Sequence, residues 1–256
     1  MAETELILAV ETSSRIGSVA LARGAELLAE TTFSAPLKHS AEIFPAIRSL
    51  LDQYDLNPGQ IEHIYISCGP GSFTGLRIAT TIAKIMHLAH SVKIVTVDTL
   101  DVVAANVINL FSDNTLSASN HKLPAMSAER IAAVLDAKRG QFFIAGYERD
   151  TDHEQYSTGQ AIWKKVLPDC LMTTLQFLDR FACEAKPIWL LGDGLLYYKD
   201  KFQANGVHFF DEMYWSPGAG KVLLLGRQMA LKEQFADALT LTPNYLRKPD
   251  VTIKSR

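Results

Sequence analysis

The stretch Cys68-Gly69-Pro70-Gly71-Ser72-Phe73-Thr74-Gly75-Leu76-Arg77 decides the fold, because it joins two segments of different periodicity. Before it, Ile61 to Ser67 is a short apolar run with the β-branched and aromatic content of a strand. After it, Ile78, Ile82, Ile85, Met86 and Ala89 place an apolar stripe on a helix. In a strand–turn–helix unit the exposed N–H groups and the helix dipole are able to bind an anion, so familiar motifs are tested first. A dinucleotide fingerprint requires glycine at position 74, which is Thr74, and the Gly-Lys pair of a phosphate loop is missing. A nucleophile elbow on Ser72 requires glycine at 70 and 74, which are Pro70 and Thr74. The plain reading is a tight turn whose Ser72 or Thr74 caps the helix. Gly69, Pro70, Gly71, Ser72, Thr74 and Gly75 are then structural, and Arg77 is a surface charge or a pairing residue.

Working upstream, Leu6 to Val10 is an apolar strand ending in Glu11-Thr12-Ser13-Ser14, followed by strand-like Gly17 to Leu21 and Leu27 to Phe33. Ile43, Ile47, Leu50 and Leu51 recur at helical spacing. Downstream, Val92 to Val97 reads as a strand and Thr99 to Phe111 as a helix, before a polar stretch from Ser112 to Met126 that is taken as a linker. Beyond it, Arg130 to Leu135, the turn Asp136-Ala137-Lys138-Arg139-Gly140 and Gln141 to Tyr147 repeat the opening theme. Pro187 to Leu191 is a strand ending at Gly192-Asp193-Gly194, and Val222 to Leu231 a helix. The expected layout is two α/β lobes, 1–111 and 127–256, joined by 112–126, with a helix at about 218–235 packing back on the first lobe.

Composition bounds the function. With 48% hydrophobic and 21% charged residues the chain is globular, and 25 basic against 28 acidic side chains offer no broad positive field for independent tight binding of nucleic acid. The N-terminus is acidic and no uncharged apolar run reaches membrane-spanning length, so a cytoplasmic protein is expected. Cys68, Cys170 and Cys183 are unpaired in pattern; Cys68 reads as a small buried thiol rather than a nucleophile. Of the histidines only His87 and His90 share a helical face, which leaves a metal site short of ligands. Glu11, Thr12 and Ser13 put a carboxylate and hydroxyls at a strand end, a candidate for a vestigial phosphate or nucleotide site together with Gly192, Asp193 and Gly194; an ordinary polar turn is the leading reading, since no lysine, second acidic residue or glycine cradle accompanies that strand end. The small-residue face of the second helix, Ala79, Thr80 and Ala83 flanked by Leu76 and His87, permits close helix approach, within the domain or across a subunit interface.

Glu11-Thr12-Ser13, Lys38-His39-Ser40-Ala41-Glu42, the Cys68 to Ile78 run, Asp136 to Gln141 and Pro243-Asn244-Tyr245-Leu246-Arg247 together resemble the TsaB (YeaZ) family in order and spacing, nearly end to end. The resemblance implies the two-lobed actin, sugar-kinase and Hsp70-like (ribonuclease H-like) α/β fold, with duplicated mixed sheets. Related TsaD subunits hold a metal through H-x-x-x-H after the strand that follows the glycine turn; here Val97-Asp98-Thr99-Leu100-Asp101 has neither histidine. The implied role is a partner and activator, with no catalytic residue, no metal and no intrinsic cofactor, and with ATP or ADP only at the level of a complex. Implied partners are a TsaD-type catalytic subunit, a TsaE-type ATPase, tRNA through the complex, and a second copy of the chain; the pathway is threonylcarbamoylation of tRNA adenosine 37. The expected interface lies on the first-lobe helices: Ile43, Phe44, Ile47, Leu51, Leu76, Ala79, Thr80, Ala83 and His87. The rival reading is an enzyme of the same fold, a metallopeptidase or a small-molecule kinase.

Overall fold

The computed structural model describes residues 5–33, 39–108, 128–150 and 162–247. The expected linker 112–126 lies outside the described residues. In the first lobe β1 (Leu6–Glu11) pairs antiparallel with β2 (Ser18–Arg23), and β2 with β3 (Glu26–Thr32); on its other side β1 runs parallel to β4 (His63–Gly69), and β4 to β5 (Lys93–Asp98). The order is β3-β2-β1-β4-β5. Every residue of β1 and β4 is buried, because helices cover both faces of these central strands, which explains their near-continuous apolar sequences.

The second lobe repeats the plan. β6 (Arg130–Asp136), β7 (Gln141–Asp150) and β8 (Ile162–Thr173) form the antiparallel meander, and β9 (Ile188–Leu191) and β10 (Val207–Phe209) add in parallel beside β6. Read from β8, the order β8-β7-β6-β9-β10 matches the first sheet strand for strand, the duplication expected of the actin-like architecture. β8 and β10 leave no clear strand pattern in the sequence. β8 carries Lys164, Lys165, Pro168 and Asp169, tolerable only on an edge strand, and β10 has three residues.

Helices α1 (His39–Gln53) and α2 (Phe73–His90) cover one face of the first sheet through Ile43, Leu50, Leu51, Ala79, Ile82 and Ala83. The other face is covered by α5 (Ala219–Leu231), whose Ala219, Val222, Leu223 and Ala230 pack with Ile7, Ala9, Ala20 and Tyr65. α3 (Thr99–Ile108) precedes the linker in sequence, yet Leu100, Val103, Ala104 and Val107 join the core of the second sheet. α4 (Thr174–Phe181) is a short amphipathic helix with Phe177 buried, started by a capping box in which Thr173 and Gln176 satisfy each other's backbone N–H.

Candidate functional site: the inter-lobe cleft

The two lobes bring their corresponding strand ends face to face. β1 ends at Glu11 and β6 at Asp136; β4 runs into Gly69-Pro70-Gly71 and β9 into Gly192-Asp193-Gly194. A cleft of about 620 Å³ opens between them, lined by Ser13, Ser14 and Arg15, by the Pro70–Phe73 turn, by Asp136 to Arg139, by Asp193, and by the C-terminal segment Asn244 to Arg247.

Ser72 is the residue that caps α2: its Oγ accepts from Gly75 N at 3.3 Å, while Thr74 points to solvent. The turn is locked onto the first hairpin. Ser72 N donates to Ser13 O at 2.6 Å, and Thr12 Oγ1 donates to Gly75 O at 2.7 Å. Glu11, fully buried, accepts from Ser13 N at 2.6 Å and from Ser13 Oγ at 2.5 Å. Its burial pushes the carboxyl above the ordinary carboxylate range, opposed by the two Ser13 hydrogen bonds and reinforced by the negative charge of Asp193. The strand-end residues Glu11, Thr12 and Ser13 and the second-lobe Asp193 therefore share one cleft floor. The structure thus brings Glu11 and Asp193, grouped in the sequence analysis although far apart in the chain, within electrostatic reach of each other.

Asp193 carries the clearest electrostatic signature of the cleft. Burial drives its pKa from 3.8 up to about 6, with a hydrogen bond from the Arg15 backbone N–H pulling down and Asp136 pushing up. A carboxyl that holds its proton more tightly folded than unfolded stabilises the fold below the unfolded pKa and loses that contribution as pH rises toward the folded one. Asp193→Asn keeps the acceptor and removes the charge. At pH 7.5 it is expected to raise stability by as much as about 3 kcal/mol, roughly 6 °C or more in Tm, and to have no such effect at pH 4. Thermal scans of both proteins across that range measure the difference directly.

The turn donors that a bound phosphate would need in this cleft are engaged within the protein. Among the described residues no group of three or more His, Cys, Asp or Glu could hold a metal ion. The Ser13 and Ser72 N–H groups that face the turn are consumed by Glu11 and Ser13. The C-terminal segment also enters the cleft: Asn244 N donates to Cys68 O at 2.7 Å, Tyr245 stacks on Phe73 with ring centroids 4.7 Å apart, and Arg247 donates to Ala137 O at 2.7 Å. Cys68 is buried and its thiol is pushed up to about 12, as befits an inert side chain.

Where a metal-holding pair of histidines was absent in sequence, the structure has an ion cluster. Lys165 Nζ lies 2.8 Å from Asp101, 2.5 Å from Asp169 and 3.8 Å from Asp98, and Tyr147 donates to Asp101 at 2.5 Å. The cluster ties β5 and α3 to β7 and β8, bracing one lobe against the other. The ammonium is the counter-ion of these carboxylates.

The expected interface needs correction. Ile43, Leu51, Leu76, Ala79 and Ala83 are at most 2% exposed and Thr80 is 6% exposed; they form the contact of α1 and α2 with their own sheet. Thr80 Oγ1 donates to Leu76 O, and His87 Nδ1 donates to Val92 O at 2.9 Å, closing the end of α2. The small-residue face is turned inward because the helix must approach a sheet closely. Phe44 is exposed and Ile47 half-buried. On α2 the outward residues are Thr81, Ile85 and Leu88, of which Ile85 is 56% and Leu88 74% exposed, while Ile78 packs partly against the core.

Comparison with known proteins agrees with this architecture. The family model described as "TsaD: tRNA N6-adenosine threonylcarbamoyltransferase" matches residues 34–255. The Bacillus subtilis (strain 168) "tRNA threonylcarbamoyladenosine biosynthesis protein TsaB" is 28% identical over 97% of this chain and 96% of its own length. The Escherichia coli (strain K12) protein of the same name is 25% identical over 94% of each. The solved structure "YeaZ from Pseudomonas aeruginosa" superposes with a TM-score of 0.72 at 22% identity, covering 95% of this chain and 100% of that one.

Proposed function

The chain belongs to the TsaD family, in its TsaB (YeaZ) branch, and from that membership we propose that it is a non-catalytic partner in tRNA threonylcarbamoyladenosine biosynthesis, activating a TsaD-type catalytic subunit. The observation that carries the partner role is the outward apolar face of α1 and α2. Phe44 at 60% exposure, Ile85 at 56% and Leu88 at 74% are large apolar side chains on adjacent helices that cover one face of the first sheet. A helix with apolar stripes on both sides buries one against its own sheet and needs a second partner for the other. A TsaD-type chain of the same fold presents equivalent helices, and without it a second copy of this chain takes the same place. A TsaE-type ATPase joins at the level of the assembly, and any nucleotide belongs to the assembly rather than to this subunit. Among the described residues no helix is long and apolar enough to cross a membrane, which is compatible with action in the cytoplasm.

Phe44→Asp combined with Leu88→Asp is expected to leave the melting temperature within a few degrees, since both side chains are exposed. Association with the TsaD-type subunit is expected to fall at least about 30-fold, the loss typical of removing an interface anchor, and tRNA modification by the mixture to fall with it. Unchanged association in a titration by calorimetry sinks the proposal. Metal-dependent peptidase or kinase turnover by the chain alone would favour the rival enzyme.

A further inference from the structure

We propose that the mouth of the inter-lobe cleft is a contact surface for a single-stranded stretch of RNA, held by side chains of both lobes. The chain as a whole is acidic, with 25 basic against 28 acidic residues, yet the cleft reverses that balance. Arg15, Lys138, Arg139 and Arg247 line it against only Asp136 and Asp193, four positive charges to two negative. Asp136 and Lys138 are paired with each other at 2.6 Å, so the excess of positive charge rests on Arg15, Arg139 and Arg247 against Asp193. A locally positive groove in a negative protein holds a phosphodiester backbone weakly and in one place, which is compatible with the lack of a broad basic field.

Aromatic rings line the groove on both sides. From the first lobe, Phe73 lies beneath the Arg77 guanidinium at 3.8 Å and stacks with Tyr245. From the second lobe, Tyr197 is 70% exposed, its ring beneath the Arg15 guanidinium at 5.7 Å and its hydroxyl accepting from Arg15 Nη1. Arginine and aromatic side chains alternating along a groove are the arrangement on which unpaired bases stack while phosphates track the cations.

The turn between β6 and β7 is built to present charge to this groove. Lys138 and Arg139 both have left-handed backbones, with φ of 66° and 57°, a conformation that side-chain-bearing residues rarely adopt. Glycine or asparagine fits such positions more cheaply, and two exposed cations stand there instead.

The inference rests on the tRNA-modification reading only for which RNA is presented. Labelled, unmodified tRNA titrated with the full chain is expected to bind weakly, with affinity falling as salt is raised. Lys138→Glu with Arg139→Glu is expected to reduce affinity at least about tenfold and the logarithmic salt slope by about 2, one per cation removed. Tyr197→Ala is expected to weaken binding at least about fivefold without changing the slope, and Tyr197→Phe to retain it. Lys164→Glu with Lys186→Glu, the same charge change on exposed residues outside the cleft, is expected to stay within about twofold of the parent. Equal losses from both charge pairs, no binding at low salt, or equally tight binding of free AMP or ATP in competition with tRNA each overturn the proposal. Association of the Lys138→Glu, Arg139→Glu variant with the TsaD-type subunit is measured alongside: its retention separates failure of the RNA contact from failure of the partner role.

Discussion

Ala83→Arg is expected to unfold the protein rather than merely prevent its association. Ala83 is fully buried on α2, packed with Ala79, Ile82, Ile64 and Ile66 over the first sheet. An arginine there adds a long side chain to a close-packed contact and leaves its guanidinium unpaired in an apolar layer. An uncompensated buried charge alone costs about 3–5 kcal/mol, and overpacking adds roughly 1–3 more. Since a domain has only about 5–15 kcal/mol in all, the variant should melt at least about 10 °C lower or show no cooperative transition. Circular dichroism melts of Ala83→Arg beside Leu88→Arg decide the matter: position 88 is 74% exposed and should tolerate the charge. A folded Ala83→Arg protein with a nearly unchanged melting temperature would mean that α2 leaves the sheet easily.

That contrast also marks where sequence reasoning stops. Apolar residues on α2 fall on two stripes, and spacing alone does not say which one faces the sheet. Small residues at 79, 80 and 83 looked like an outward contact because close approach between subunits and close approach to a sheet ask for the same side chains. The central strands were legible because burial on both faces makes Leu6–Glu11 and His63–Gly69 nearly continuous apolar runs. The duplication was legible from the hairpin theme repeated after Arg130. β8 was not, since an edge strand tolerates Lys164, Lys165 and Pro168, which erase its alternation. The cleft was the least visible feature. Arg15, Lys138, Asp193 and Arg247 come from four separate segments, and only the lobes' face-to-face arrangement brings them together.

Gly75→Ala is expected to be the most damaging single-methyl change in the glycine turn. A Cβ at position 75 would stand 1.7 Å from Thr12 O, a backbone atom with no flexible end to swing aside. Alanine is favoured over glycine inside a helix by up to about 1 kcal/mol, so propensity predicts stabilisation. The steric term wins, because α2 must withdraw from the β1–β2 turn by more than an ångström. Withdrawal breaks the Thr12 to Gly75 and Ser72 to Ser13 hydrogen bonds together. A loss on the order of 4 kcal/mol follows, the range reserved for disrupted cores and networks. Gly192→Ala should behave alike in the second lobe, where φ is +124° and the added Cβ would lie 2.1 Å from Val134 O. Gly140→Ala is the control: it shares a left-handed backbone, at φ +72°, but meets nothing within 4 Å, so only backbone strain of roughly 1–2 kcal/mol remains. Denaturant titrations of the three variants should therefore rank Gly140→Ala well above the other two. Comparable stability for all three would show that the close approach of each glycine to its neighbouring backbone does not set the cost at these positions.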